Sequence, residues 1–103
     1  MQYVVGRADG SMEVLKRRVP LPLKELQKLV GGYVEAVSIL GGRLRMKAMV
    51  NEDGRLLGLP VNALFPGLLG NAVLGKVEDG EFVGFSAPEV AVLKRTWPKL
   101  AAA

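Results

Sequence analysis

With 103 residues, of which 50% are hydrophobic and 23% charged, the chain has the composition of one folded domain able to bury roughly 60–70% of its unfolded surface. It contains neither cysteine nor histidine, which excludes disulfides, thiolate nucleophiles and imidazole bases and removes the commonest transition-metal ligands. Fourteen Lys and Arg against ten Asp and Glu give +4, a mild attraction for polyanions.

The opening MQYVVGRADG has no basic segment followed by an apolar core, and no apolar run reaches the ~20 residues of a membrane span. A soluble, cytoplasmic domain with no membrane partner is expected. Residues 3–7 and 12–16 flank Asp9-Gly10, a hairpin signal because the tight turn needs positive φ. Lys16, Arg17 and Arg18 then form a basic cluster. In PLKELQKLVGG, Leu23, Leu26 and Val30 recur at helical spacing behind Pro22, and Gly31 is placed to terminate a helix.

Residues 33–40 are mostly apolar and β-prone, as expected of an inner strand, with Glu35 its single charge. The alternation in RLRMKAMV predicts a strand over 43–50 with Arg43, Arg45 and Lys47 on one face. Asp53-Gly54 predicts its return as a strand over 55–59, placing Glu52 across from Arg55. Residues 61–65 suggest a helical turn followed by a turn at Pro66-Gly67.

A third hairpin pairs 72–77 with 81–85 around Asp79-Gly80. A two-residue turn there opposes Glu78 to Glu81, so a longer or bulged loop is expected. The last helix opens on a Ser86/Glu89 capping box, carries Val90, Leu93 and Trp97 as its apolar stripe, and stops at Pro98; residues 101–103 form a frayed tail. The sum is a single α+β domain over 1–103: a mainly antiparallel sheet of three hairpins plus a central strand, with two main helices packed on it.

Asn, Gln, Ser and Thr total nine residues, a bias that thermophilic proteins and GC-rich genomes share. Asn51, Glu52 and Asp53 offer oxygen ligands, but neighbours on a strand point to opposite faces, so turn chemistry is preferred to a metal site. Glu35 with Glu52 or Asp53 would make an acid pair only on adjacent strands. No GxGxxG or GxxxxGK[ST] fingerprint occurs. Neither a cofactor nor a small-molecule substrate is identified.

Three stretches, LQKLVGGYVEAV (26–37), VNEDGRLLGLPVN (50–62) and LLGNAVL (68–74), resemble in that order a family of small phage and bacterial domains of unknown function. Leu26, Gln27, Val30, Gly31, Gly32, Tyr33 and Glu35 match its first block; Asn51, Glu52, Gly54, Leu59, Pro60 and Asn62 match its second. The resemblance covers about 23–85 and departs at AlaLeuPheProGly (63–67). It implies no activity, but it marks Glu35, Asn51, Glu52 and Asn62 as residues of hydrogen-bonded turns or as anchors for a partner or ligand.

Two readings of function follow. The first is a non-catalytic interaction module that contacts a protein partner or forms a homodimer. The second is nucleic-acid binding through Arg43, Arg45 and Lys47, strengthened if Lys16, Arg17 and Arg18 abut that ladder. A carboxylate enzyme or metal-ion binder using Glu35, Glu52 and Asp53 is a weaker third.

Overall fold

The computed structural model describes residues 1–41 and 44–97. Arg43, Pro98 and the 101–103 tail lie outside them. In chain order the elements are β1 (Gln2–Gly6), β2 (Met12–Lys16), α1 (Leu23–Val30), β3 (Val34–Gly41), β4 (Leu44–Asn51), β5 (Ala72–Glu78), β6 (Glu81–Val83) and α2 (Ala87–Thr96). All pairings are antiparallel, in the order β2-β1-β5-β4-β3, with β6 beside the far half of β5. The α+β class expected from sequence is the one observed.

Each Asp-Gly pair meets a different fate. At Asp9-Gly10 the loop has three residues: the Arg7 N–H donates to Ser11 O at 2.9 Å, the Gly10 N–H donates to Arg7 O at 2.9 Å, and Gly10 takes φ 91. This is a type I turn closed by a left-handed glycine. At Asp79-Gly80 both residues have positive φ, 50 and 78, and Glu78 faces Glu81 across a two-residue turn. The expected lengthening does not occur; Lys76 lies 2.7 Å from the Glu78 carboxylate and offsets the repulsion.

The middle hairpin is not the one the sequence suggests. β4 returns from β3, from Val34↔Asn51 to Gly41↔Leu44, and residues 55–59 form no strand. Asp53 lacks the positive φ that a type I′ turn demands at its first central position. Its N–H is instead taken by Asn51 Oδ1 at 2.8 Å, and the chain curls on through Leu57 N–H to Asp53 O at 2.8 Å. The helical turn expected over 61–65 is likewise absent, whereas the Pro66-Gly67 turn is present, closed by the Leu68 N–H on Phe65 O at 2.8 Å.

Strand alternation divides the core into two layers. On one face Val4, Ala48, Leu74 and Phe85 pack beneath Val90 and Leu93 of α2, with Leu68 of the β4–β5 connection. On the other, Tyr3, Val5 and Val73 pack beneath Leu26 and Val30 of α1. Burying each such aliphatic side chain contributes about 2 kcal/mol. Tyr3 also orients the entry to α1, its hydroxyl accepting the Leu21 N–H at 3.1 Å; burial pushes that phenol above its usual 10.0.

α2 starts with the predicted capping box: Ser86 Oγ accepts the Glu89 N–H at 3.3 Å and Glu89 Oε1 accepts the Ser86 N–H at 2.8 Å. The same Oε1 takes Lys76 Nζ at 2.8 Å, which ties the helix to β5. Burial raises the Glu89 carboxyl, but the bonds from Lys76 and Ser86 outweigh it and hold it below 4.5. Its stabilisation is therefore present above that value and lost as pH falls through the lower folded pKa. Lys76, raised above 10.5 by its bonds to Glu78 and Glu89, contributes below that value and loses its contribution as pH rises through the folded pKa. Glu89→Gln is expected to flatten the acid limb of the melting temperature between about pH 5 and about pH 3, read by circular dichroism.

Candidate functional site

The connection from β4 to β5, residues 52–71, is long for a compact domain and has neither helix nor strand of its own. All three asparagines of the chain stand at its start, middle and end, and each holds it to the body by its side-chain amide. Asn51 donates to Val30 O at 3.2 Å and accepts the Asp53 N–H at 2.8 Å, joining the end of α1 to the exit of β4. Gly32 makes this approach feasible, since a Cβ there would stand 2.8 Å from Asn51 Nδ2.

Asn62, fully buried, donates to Gly6 O at 3.0 Å and Gly70 O at 2.9 Å and accepts the N–H groups of Leu64 at 2.9 Å and Phe65 at 3.1 Å. Asn71 accepts the Ala8 N–H at 3.1 Å and donates to Leu29 O at 3.3 Å. Asn71 is not among the residues singled out in the sequence. Its place in the LLGNAVL stretch, after a glycine and immediately before β5, is the signal that could have found it.

Pinned in this way, the connection builds one wall of a cleft of about 360 Å³. The other wall is the α2-side face of β3 and β4, with Glu35 and Val37 at the rim and Val50 deeper. Asn51, Glu52, Arg55, Leu68 and Leu69 also line it. The cleft thus gathers Glu35, Asn51 and Glu52, while Asn62 sits apart in the core. With their amides committed to backbone, Asn51 (6% exposed) and Asn62 (0%) leave Glu35 and Glu52 as the solvent-facing members of the set. The Glu52 N–H donates to Tyr33 O at 2.9 Å, continuing the β3–β4 ladder by one step.

β3 is the outermost strand on this side and not the inner strand expected from its apolar composition. Since Tyr33 O faces β4, the ladder's alternation turns the N–H and C=O groups of Val34, Ala36 and Ser38 away from the sheet. Exposed apolar residues include Tyr33, just before the start of β3, at 67%, and Leu56 of the connection at 87%.

The basic residues divide between faces. Arg45 and Lys47 share the face of Met49, on the α1 side, and Lys47 Nζ donates to Ser38 Oγ at 2.6 Å. Lys16 shares the face of Val14, on the α2 side, and β1 and β5 lie between β2 and β4. Arg17 is bound to Glu25 at 2.6 Å. Among the described residues, which exclude Arg43, the two basic groups therefore do not merge. Among the described residues no three acidic side chains converge as a metal site would require, and no helix is long and apolar enough to cross a membrane.

No curated protein and no solved structure matches the chain. A family model does match, over residues 3–97, and it includes both layers of the core, the asparagine-pinned connection and α2. The chain accordingly belongs to the family described as Domain of unknown function (DUF3846).

Proposed function

We propose that this domain is a non-catalytic interaction module that works by strand addition at β3, and that the added strand is β3 of a second copy. The observation that carries the reading is the edge itself. Eight residues long, it has one charge, no proline and outward-facing backbone groups at Val34, Ala36 and Ser38. Sheet edges are ordinarily guarded by charge or shortness. The opposite edge conforms: β2 has five residues, carries the Arg7–Glu13 ion pair and ends on Lys16, Arg17 and Arg18.

A two-fold pairing of β3 with itself, centred on Val37, sets Glu35 opposite the second copy's Ile39 and keeps the two carboxylates apart. Val37 and Ile39, half-buried in the monomer, gain cover from their counterparts. The lack of histidine and cysteine, and the commitment of Asn51 and Asn62 to backbone, support a role in binding over catalysis.

Ala36→Pro tests this directly, because proline there removes an outward N–H and no bond of the β3–β4 ladder. Sedimentation velocity is expected to show concentration-dependent dimer for the native chain and monomer for Ala36→Pro, with nearly unchanged melting. A native chain that stays monomeric at every concentration, or a dimer that survives Ala36→Pro, overturns the reading.

A further inference from the structure

A different surface, on the opposite edge, carries an independent inference. Two clefts of about 460 and 340 Å³ meet at β2 and share Gln2 and Lys16. The first lies over the α2-side face, floored by the half-buried Met12 and Val14, with Lys94 of α2 at its rim. The second continues past the end of the strand to Arg18. Together they form one track with Lys16 at the junction.

The track is positive for a reason visible in the ion pairs. Glu13 lines it but is held by Arg7 at 2.8 Å, and Glu25 is held by Arg17 at 2.6 Å. Lys16, Arg18 and Lys94 make no ion pair among the described residues. The sequence shows only the 16–18 cluster; it is the packing of α2 across the sheet that adds Lys94, 76 positions after Arg18 in the chain.

We infer that this track binds the sugar–phosphate backbone of a single-stranded nucleic acid. Its cations are strung along a path and do not converge on a point, which suits successive phosphates better than one phosphate. The track turns from the sheet face past the end of β2, a path that a flexible single strand can follow and a stiff duplex cannot. No aromatic side chain lines them, so bases are not stacked and the binding is indifferent to sequence. The ladder of Arg45 and Lys47, on the other face, takes no part.

The test is fluorescence anisotropy of a labelled oligothymidylate of about 20 nucleotides, titrated at several salt concentrations. Three neutralised phosphates give a slope of log K against log salt of about −2. The double variant Lys16→Gln/Lys94→Gln is expected to make the slope shallower by about 1.4 and weaken binding at low salt roughly tenfold. Arg45→Gln/Lys47→Gln is expected to bind within about twofold of the native chain. Circular dichroism verifies that both variants are folded. Absence of binding at low salt, no loss in the first variant, a tenfold loss in the second, or equal affinity for a duplex each overturns the inference.

Discussion

Replacing Asn62 with alanine is expected to cost about 3–4 kcal/mol, a large part of the roughly 5–15 kcal/mol that holds a domain of this size together. The side chain has no exposed surface and makes four hydrogen bonds, to the carbonyls of Gly6 and Gly70 and from the N–H groups of Leu64 and Phe65. Truncation removes one hydrogen bond from each of the four backbone groups; Gly6 keeps Ala72 across the β1–β5 ladder, and those buried groups left unpaired bear the desolvation cost in full. Asn62→Asp separates the donor half of this role from the acceptor half. An ionised carboxylate still accepts from Leu64 and Phe65 but turns an oxygen toward two carbonyls, so at neutral pH it is expected to be worse than alanine.

Protonation restores one donor. The carboxyl introduced by Asn62→Asp has a raised folded pKa, and the sign follows: the variant's stability returns as pH falls and is lost as pH rises. Urea denaturation at about pH 7 and about pH 4 reads both effects. A cost for Asn62→Ala below about 1 kcal/mol would mean that the 52–71 connection is held by its apolar contacts, Leu68 above all, and not by its asparagines.

The second large effect is expected at Gly75, in the sheet's most connected strand. Here β5 exchanges one neighbour for another, pairing with β1 up to Leu74 and with β6 from Lys76 onward. A Cβ at Gly75 would stand 2.6 Å from Val83 O and 2.7 Å from the Phe82 ring. That ring lies over the glycine and packs on Tyr3, with centroids 5.5 Å apart. Gly75→Ala is therefore expected to cost about 3 kcal/mol, the upper part of the range for overpacking. The double variant Gly75→Ala/Phe82→Ala relieves the contact with the ring but not the one with the Val83 carbonyl. Its destabilisation should fall short of the sum of the single effects, measured as a double-mutant cycle by chemical denaturation. Full additivity would show that the clash with Phe82 is negligible.

The functional surfaces were only partly legible in the sequence. Glu35 of β3 and Glu52, one residue past β4, are brought to one cleft because β4 is the direct return of β3. The Asp53-Gly54 signal pointed elsewhere: read as a hairpin, it assigned β4 a different partner, residues 55–59. An Asp-Gly pair specifies a tight turn only if aspartate adopts positive φ, and at Asp53 the side chain of Asn51 captures the N–H and favours a different path. The edge position of β3 was hidden for a second reason. Apolar composition reports burial of side chains on the two faces and says nothing of whether the backbone has a neighbour.

Several features were determined by the sequence alone. The α+β class, the bounds of both helices to within a residue or two, the Ser86/Glu89 cap and the first and last hairpins rest on local rules: helical spacing, capping chemistry and turn φ, each acting over a few residues. The tertiary structure alone decided the remainder. It set the strand order that exposes β3, placed Lys16 on the face opposite Arg45 and Lys47, brought Lys94 to Lys16, and committed every asparagine to a carbonyl or N–H distant in the chain. The physical reason is common to all of these. They depend on which elements pack across the sheet, a choice made by the burial of two apolar layers together, and no short stretch of residues contains that information.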